Sequence, residues 1–257
     1  MIRVLVTGAN GQLGKTIRSI AKDYSRLNFV FKTSSVLDIT NITDLKRVFG
    51  TTRFDFCINC AAYTNVEQAE KTPEKAFAVN ADGAKNVALV CREHDVILIH
   101  ISTDYVFDGE KETPYAIDDK PNPINEYGKS KLLGETAIQE TLKKYHIVRT
   151  SWLYSEFGKN FYKTILNKAK TEKTLYITDE QMGCPTNARN LAVFIIDELI
   201  LRNRAFGMHH YTDGEAMSWY TFAKKILREN KMIEGIRLER AKDFSTFAKR
   251  PVYSVLK

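Results

Sequence analysis

Cysteine is scarce in this sequence. Cys57, Cys60, Cys91 and Cys184 are the only ones in 257 residues, too few and too scattered to staple a chain of this size, so a reducing compartment is expected. Cys57 and Cys60 have CxxC spacing but fall in what reads as a buried strand, where positions three apart point to opposite faces, and no second pair completes a zinc site. Long apolar runs are missing too. None approaches the roughly 18 to 20 residues of a membrane span, and the N-terminus enters Ile2-Arg3-Val4-Leu5-Val6 without a charged leader and cleavage site. A cytoplasmic protein that engages no membrane is the expectation. Clustered basic charge is also absent: 38 Lys and Arg give a net charge of +7 but are interleaved with 31 acids. That distribution describes a solvated surface with a mild attraction for small anions, and it excludes a nucleic-acid groove.

The first 150 residues alternate short β-branched runs with amphipathic or Ala-rich stretches, the pattern of parallel strands joined by crossover helices. Strands are expected at 3–7, 28–32, 56–60, 96–102 and 146–150, and helices at 12–22, 43–49, 73–93 and 126–144. Thr72 before Pro73 reads as an N-cap followed by a first-turn proline. Beyond residue 150 the rhythm loosens, with helices expected at 160–170, 188–201 and 218–228 and strands at 175–178 and 208–211. The fold class is therefore α/β: a Rossmann-type, doubly wound parallel sheet over residues 1–150, and a smaller C-terminal substrate-binding lobe over 151–257, some of whose segments return to the sheet. Between them lies a cleft at the carboxyl ends of the strands.

Three motifs face that cleft. Thr7-Gly8-Ala9-Asn10-Gly11-Gln12-Leu13-Gly14 joins the first strand to the first helix, where backbone N–H groups and a helix N-terminus suit a pyrophosphate. At the end of the second strand, Lys32-Thr33-Ser34-Ser35 stands where an acid would favour NAD, so the cofactor reading leans to NADPH, with NADH possible. Tyr127 and Lys131, four apart at the start of a helix, share one face. A fixed ammonium there would favour the phenolate and lower the phenol's pKa. Ile101-Ser102-Thr103-Asp104 ends the fourth strand, and a hydroxyl of Thr103 or Ser102 is placed to stabilise a developing alkoxide beside that phenol.

Together with NCAAYTNVEQAE, RTSWLY and the 181–186 stretch, these motifs resemble the dTDP-4-dehydrorhamnose reductases, within the extended short-chain dehydrogenases/reductases. The resemblance runs nearly the whole length, and STDYVFDG and RTSWLY are its most discriminating parts. It implies Tyr127 as proton donor, Lys131 as its electrostatic partner and ribose ligand, and Thr103 as the hydroxyl aligning the keto group. It implies cofactor contacts from Gly8, Asn10, Gly11, Gln12, Leu13 and Gly14 to the pyrophosphate, from Asp38 and Ile39 to the adenosine, and from Ala61, Ala62, Tyr63 and Asn80 to the remainder. Val66, Asp104, Tyr105 and Trp152 would shape the sugar pocket, with Asn160, Gln181 and Arg250 near the nucleotide diphosphate. The substrate would be a nucleotide sugar destined for rhamnose-containing glycans, and the protein a monomer or weak homodimer.

Two departures from that family set further expectations. Glutamates that hold a dimer-bridging Mg2+ in some members are replaced by Lys15 and Thr16, and by Arg189 and Asn190, so no such metal site is expected. The sequence ends at Lys257, where members continue for roughly another helix, as a truncated or a compact form would. Two competing readings remain open: a non-catalytic subunit like the methionine adenosyltransferase β subunit, and a nucleotide-sugar epimerase or 4,6-dehydratase.

Overall fold

A computed structural model of the chain describes residues 1–241 and 246–257. Strand β1 (Ile2–Thr7) feeds helix α1 (Gln12–Ile20), followed by β2 (Leu27–Phe31), α2 (Ile42–Thr51) and β3 (Phe56–Asn59). A long crossover then carries α3 (Val66–Lys71), α4 (Pro73–Phe77), a π-helical segment (Ala78–Gly83) and α5 (Ala84–Glu93). It leads to β4 (Ile97–Thr103), α6 (Glu126–Thr141) and β5 (Tyr145–Thr150).

The remainder runs through β6 (Leu153–Tyr154), α7 (Phe161–Lys168), β7 (Thr174–Ile177), β8 (Met182–Gly183), β9 (Thr186–Asn187), α8 (Ala188–Phe194), β10 (Gly207–His210), β11 (Met217–Ser218), α9 (Trp219–Glu229) and β12 (Arg237–Arg240). β10 leaves this region to pair parallel with β5, so the main sheet has six strands in the order β10-β5-β4-β3-β1-β2, all parallel.

Both faces of the sheet are covered, which is why its strands read as apolar without alternation. Leu5, Cys57, Leu98 and Ile147 point into one core with α2, α5 and α6. Their neighbours Val4, Val6, Ile58, Ile99 and Val148 point into a second core with α1 and α8. Each fully buried Leu, Ile or Val contributes about 1.5–3 kcal/mol of burial. Cys57 and Cys60 fall on opposite faces, and all four thiols are free. A third core, built on Ile165, Leu175, Phe222 and Ile226, holds α7, α9 and the β7–β12 pair together.

Three local expectations are corrected. The 188–201 helix is α-helical only to Phe194 and turns π-helical over Ile195–Leu201. The 73–93 helix is interrupted by the Ala78–Gly83 π-helical segment, whose Asn80 carbonyl lies 2.1 Å from where a Cβ on Gly134 of α6 would sit, so helix and segment meet backbone to backbone. Thr72 occupies the N-cap position of α4 without capping it: its hydroxyl donates back to the Gln68 carbonyl at 3.1 Å. Phe77 leads directly into the π-helical segment, so α4 is a continuation of the crossover more than a fresh start.

Candidate active site

Six helices, α2, α3, α6, α7, α8 and α9, start with an Asn or Ser side chain accepting a first-turn N–H. The start of α1 is different. Its N-cap is Gly11, no side chain caps it, and no acid sits in its first turn. Those free N–H groups and the positive end of the helix dipole therefore face the cleft available to an anion. Gly8 shapes the loop: its φ is +60°, and a Cβ there would meet the Ala61 backbone at 2.5 Å. Only glycine permits both the left-handed turn and the approach of the β1 and β3 loops.

Two cavities open on this loop and share Asn10, Gly11, Cys60 and Ala62. The smaller, about 290 Å³, is lined by Gly8, Ser34, Asp38, Ile39, Ala61 and Tyr63 among others. The larger, about 520 Å³, is lined by Gln12, Leu13, Thr103, Asp104, Tyr127, Lys131, Trp152 and Asn160, and by Thr64, Lys159, Phe161 and Trp219, which sequence reasoning did not single out. Gly14 does not face either cavity; it packs where a Cβ would meet Ala9 at 2.7 Å. Asn80 is buried and its amide is spent on structure, accepting from Tyr63 N at 2.8 Å and donating to Tyr63 O at 2.9 Å and Ser130 Oγ at 3.0 Å.

The catalytic candidates meet because α6 starts against the turn that follows β4. A Cβ on Gly128 would lie 2.1 Å from the Tyr105 carbonyl oxygen, so that glycine lets Tyr127 sit beside Thr103. The Thr103 hydroxyl donates to Asp104 Oδ1 at 3.0 Å, accepts from Tyr105 N at 3.2 Å, and lines the same cavity as the Tyr127 phenol. Burial pushes Tyr127 up to about 12, with the nearby Thr103 hydroxyl opposing and the Asp104 carboxylate adding to the rise. This reverses the expected direction. Lys131 does not aim its Nζ at the phenol; it donates to Ile101 O at 2.6 Å and lies 3.2 Å from His100 Nε2. Burial draws Lys131 down to about 8, partly opposed by Glu135 and Cys60. Asp104, also buried, accepts from Ser254 Oγ at 2.6 Å and is pushed up to about 7 by burial.

On the far wall, Asn160 caps α7 and donates to Gln12 Oε1 at 2.8 Å, joining the lobe to the phosphate loop. Trp152, at φ +45°, is stacked 3.4 Å from Trp219 at an interplanar angle of 4°. Gln181 stands behind the wall and accepts from Trp219 Nε1 at 3.0 Å. Val66, Tyr105 and Arg250 also line no part of the larger cavity. Arg250 is engaged with Glu67 at 2.8 Å, which also accepts from Phe247 N and Ala248 N, and Tyr105 packs edge-on against Tyr127 at 5.9 Å.

Comparison with known proteins fits this geometry. A family model described as RmlD substrate binding domain matches residues 2–257. The chain is 37% identical over 266 residues to a dTDP-4-dehydrorhamnose reductase of Aggregatibacter actinomycetemcomitans, covering 100% of this chain and 90% of that protein. The crystal structure of a dTDP-4-dehydrorhamnose reductase from Clostridium acetobutylicum superposes with a TM-score of 0.94 at 38% identity, covering 100% of this chain and 90% of that one. The Bacillus anthracis dTDP-4-dehydrorhamnose reductase, in complex with NADP, superposes with a TM-score of 0.93 at 39% identity, covering 100% and 91%.

Proposed function

The chain belongs to the RmlD substrate binding domain family, and from that premise we propose that it reduces the C4 keto group of dTDP-4-dehydrorhamnose to give dTDP-L-rhamnose with NADPH. One observation carries the reading: the Thr103 hydroxyl, the Tyr127 phenol and the Lys131 amine all open on one cavity with the uncapped start of α1. That uncapped start fits a dinucleotide pyrophosphate, and the adjoining smaller cavity, with Ser34, Asp38 and Ile39, fits its adenosine half. Bound there, NADPH supplies the hydride.

The chain's own residues supply the rest. A phenol held near 12 is fully protonated at neutral pH, the state a reductive step requires of its acid. Thr103 opens on the same cavity as that phenol and is poised to hold the substrate oxygen beside it. Lys131 is the ribose ligand of this arrangement, and Asn160, bound to Gln12, closes the diphosphate end. The stacked Trp152–Trp219 pair forms an apolar wall for the sugar, with Gln181 holding it from behind, while Val66, Tyr105 and Arg250 stand outside the larger cavity. The reading extends to a cytoplasmic protein with four free thiols, acting as a monomer or weak homodimer.

The test is stoichiometric consumption of NADPH on addition of dTDP-4-dehydrorhamnose. Cofactor binding without consumption of any keto sugar would point to the non-catalytic subunit, and turnover with no net NADPH loss to an epimerase.

A further inference from the structure

Beneath Lys131 lies a chain of buried polar groups that the proposed chemistry does not use. Thr7 Oγ1 donates to Asn59 Oδ1 at 2.6 Å, and Ala61 N donates to the same oxygen at 3.3 Å. Because a backbone N–H can only donate, these contacts fix the Asn59 amide with Nδ2 turned to His100 Nδ1, 3.1 Å away. Asn59 and His100 are each 1% exposed, so no solvent exchanges with the chain. An amide NH2 is also donor only, so His100 Nδ1 accepts and the ring proton lies on Nε2. His100 is kept neutral, since burial holds it well below the ordinary histidine value.

The proton on Nε2 points at Lys131 Nζ, 3.2 Å away. An ammonium carries donors only and would oppose it. A neutral amine satisfies every contact: it donates to Ile101 O and accepts from His100 Nε2–H. We propose that Asn59 locks His100 as its Nε2–H tautomer and that His100 thereby favours the neutral amine of Lys131 in the ligand-free pocket. Asn59 and His100 are positioning residues in this scheme, acting through Lys131. Lys131 takes up a proton when an anionic dinucleotide arrives. The inference rests on the reading of this pocket as an NADPH site.

Other groups face Lys131 from every side. Glu135 on α6 is already bonded to Arg149, Cys60 beyond β3 is a thiol raised by burial, and Asp104 and Tyr127 stand across the cavity. None of them sets the His100 tautomer.

The experiment has two parts, neither of which needs sugar turnover. Long-range 1H–15N correlation of the unsubstituted protein, with His100→Gln to assign the ring, should show a protonated Nε2 and a bare Nδ1; the opposite tautomer overturns the proposal. In Asn59→Asp a carboxylate oxygen faces Nδ1, so the ring proton should move there and Nε2 should accept from a Lys131 ammonium. The pH at which NADPH binding begins to weaken, followed by nucleotide fluorescence, should then rise by about one unit, the scale of one hydrogen bond exchanged between protonation states. In a His100→Phe background the added carboxylate acts only through space, and less than half of that shift should remain. An equal shift with and without the imidazole overturns the proposal. If Asn59→Asp does not fold, the ring assignment of the unsubstituted protein decides alone. If NADPH does not bind at all while the Nε2–H tautomer is found, it is the NADPH reading that fails.

Discussion

Lys131 and Arg149 are both buried basic residues at the carboxyl end of the sheet, 1% and 3% exposed, yet they are treated in opposite ways. Arg149 is paired with a carboxylate, although its Nη1 has no hydrogen-bond partner among the described residues. Glu135 receives its Nη2 at 2.6 Å and its Nε at 3.0 Å, takes the Ser102 hydroxyl at 2.5 Å, and Phe107 lies under the guanidinium at 5.1 Å. Lys131, one turn before Glu135 on the same helix, has no carboxylate partner among the described residues and hydrogen-bonds there to a carbonyl and an imidazole. The difference separates architecture from chemistry. A paired charge fixes β4, β5 and α6 against one another, whereas an unpaired one leaves interaction energy for a ligand to take up.

Breaking the paired side should give the largest effect. Glu135→Ala leaves Arg149 buried without its partner and should lower stability by about 3–5 kcal/mol in chemical denaturation. A loss under about 1 kcal/mol would mean that the pair is ornamental and the comparison fails.

Tyr127, which opens on the same cavity as the unpaired lysine, should respond in activity and not in stability. Tyr127→Phe removes the proton donor while keeping the ring against Tyr105, and NADPH-dependent turnover should fall more than about 100-fold with the unfolding midpoint and NADPH affinity little changed. Retained turnover would move the acid elsewhere in the cavity.

A third test uses pH. Lys131 titrates near 8 in the folded chain, below the ordinary 10.5, so between those values the unfolded chain binds more protons and stability rises with pH. Asp104 titrates near 7, above the ordinary 3.8, so between those values the folded chain binds more protons and stability falls as pH rises. Both penalties are in force around pH 7 to 8, where the ligand-free protein holds its least relieved pocket. Lys131→Met should remove the alkaline rise, and Asp104→Asn the acid fall, each on the order of 2 kcal/mol across its window. Denaturation curves that keep the same pH dependence in both variants would show that neither group is held as its burial implies.

What could be read in the sequence divides along the same line. The phosphate loop and the Tyr127–Lys131 spacing were legible because each is local, one turn and one helix face. The direction of the Tyr127 shift was not, since spacing gives a shared face but not where a lysine side chain ends; here Ile101 and His100 capture it. Asn59 and His100 did leave a signal as polar residues inside apolar strand runs, the mark of a buried network. Trp219 left none, because its stacking on Trp152 joins positions from β6's approach and α9 that only the folded lobe brings together. That some C-terminal segments return to the sheet was legible, but not which: β10 follows four intervening short strands and its own run is too short to declare its partner.

The smallest predicted effect tests how far the wall depends on groups behind it. Gln181 touches neither cavity, yet its Oε1 holds the indole N–H of Trp219, which stacks on a Trp152 whose φ of +45° is strained for a residue with a Cβ. Removing the acceptor leaves that N–H unpaired in a half-buried site and lets the indole pair rotate, a loss of about 1 kcal/mol. Because the strain lies on the sugar side, Gln181→Ala should raise KM for the nucleotide sugar about fivefold, with kcat and NADPH affinity unchanged. If NADPH affinity falls in step with KM, the indole pair supports the cofactor instead, and the wall belongs to the same half of the site as Lys131.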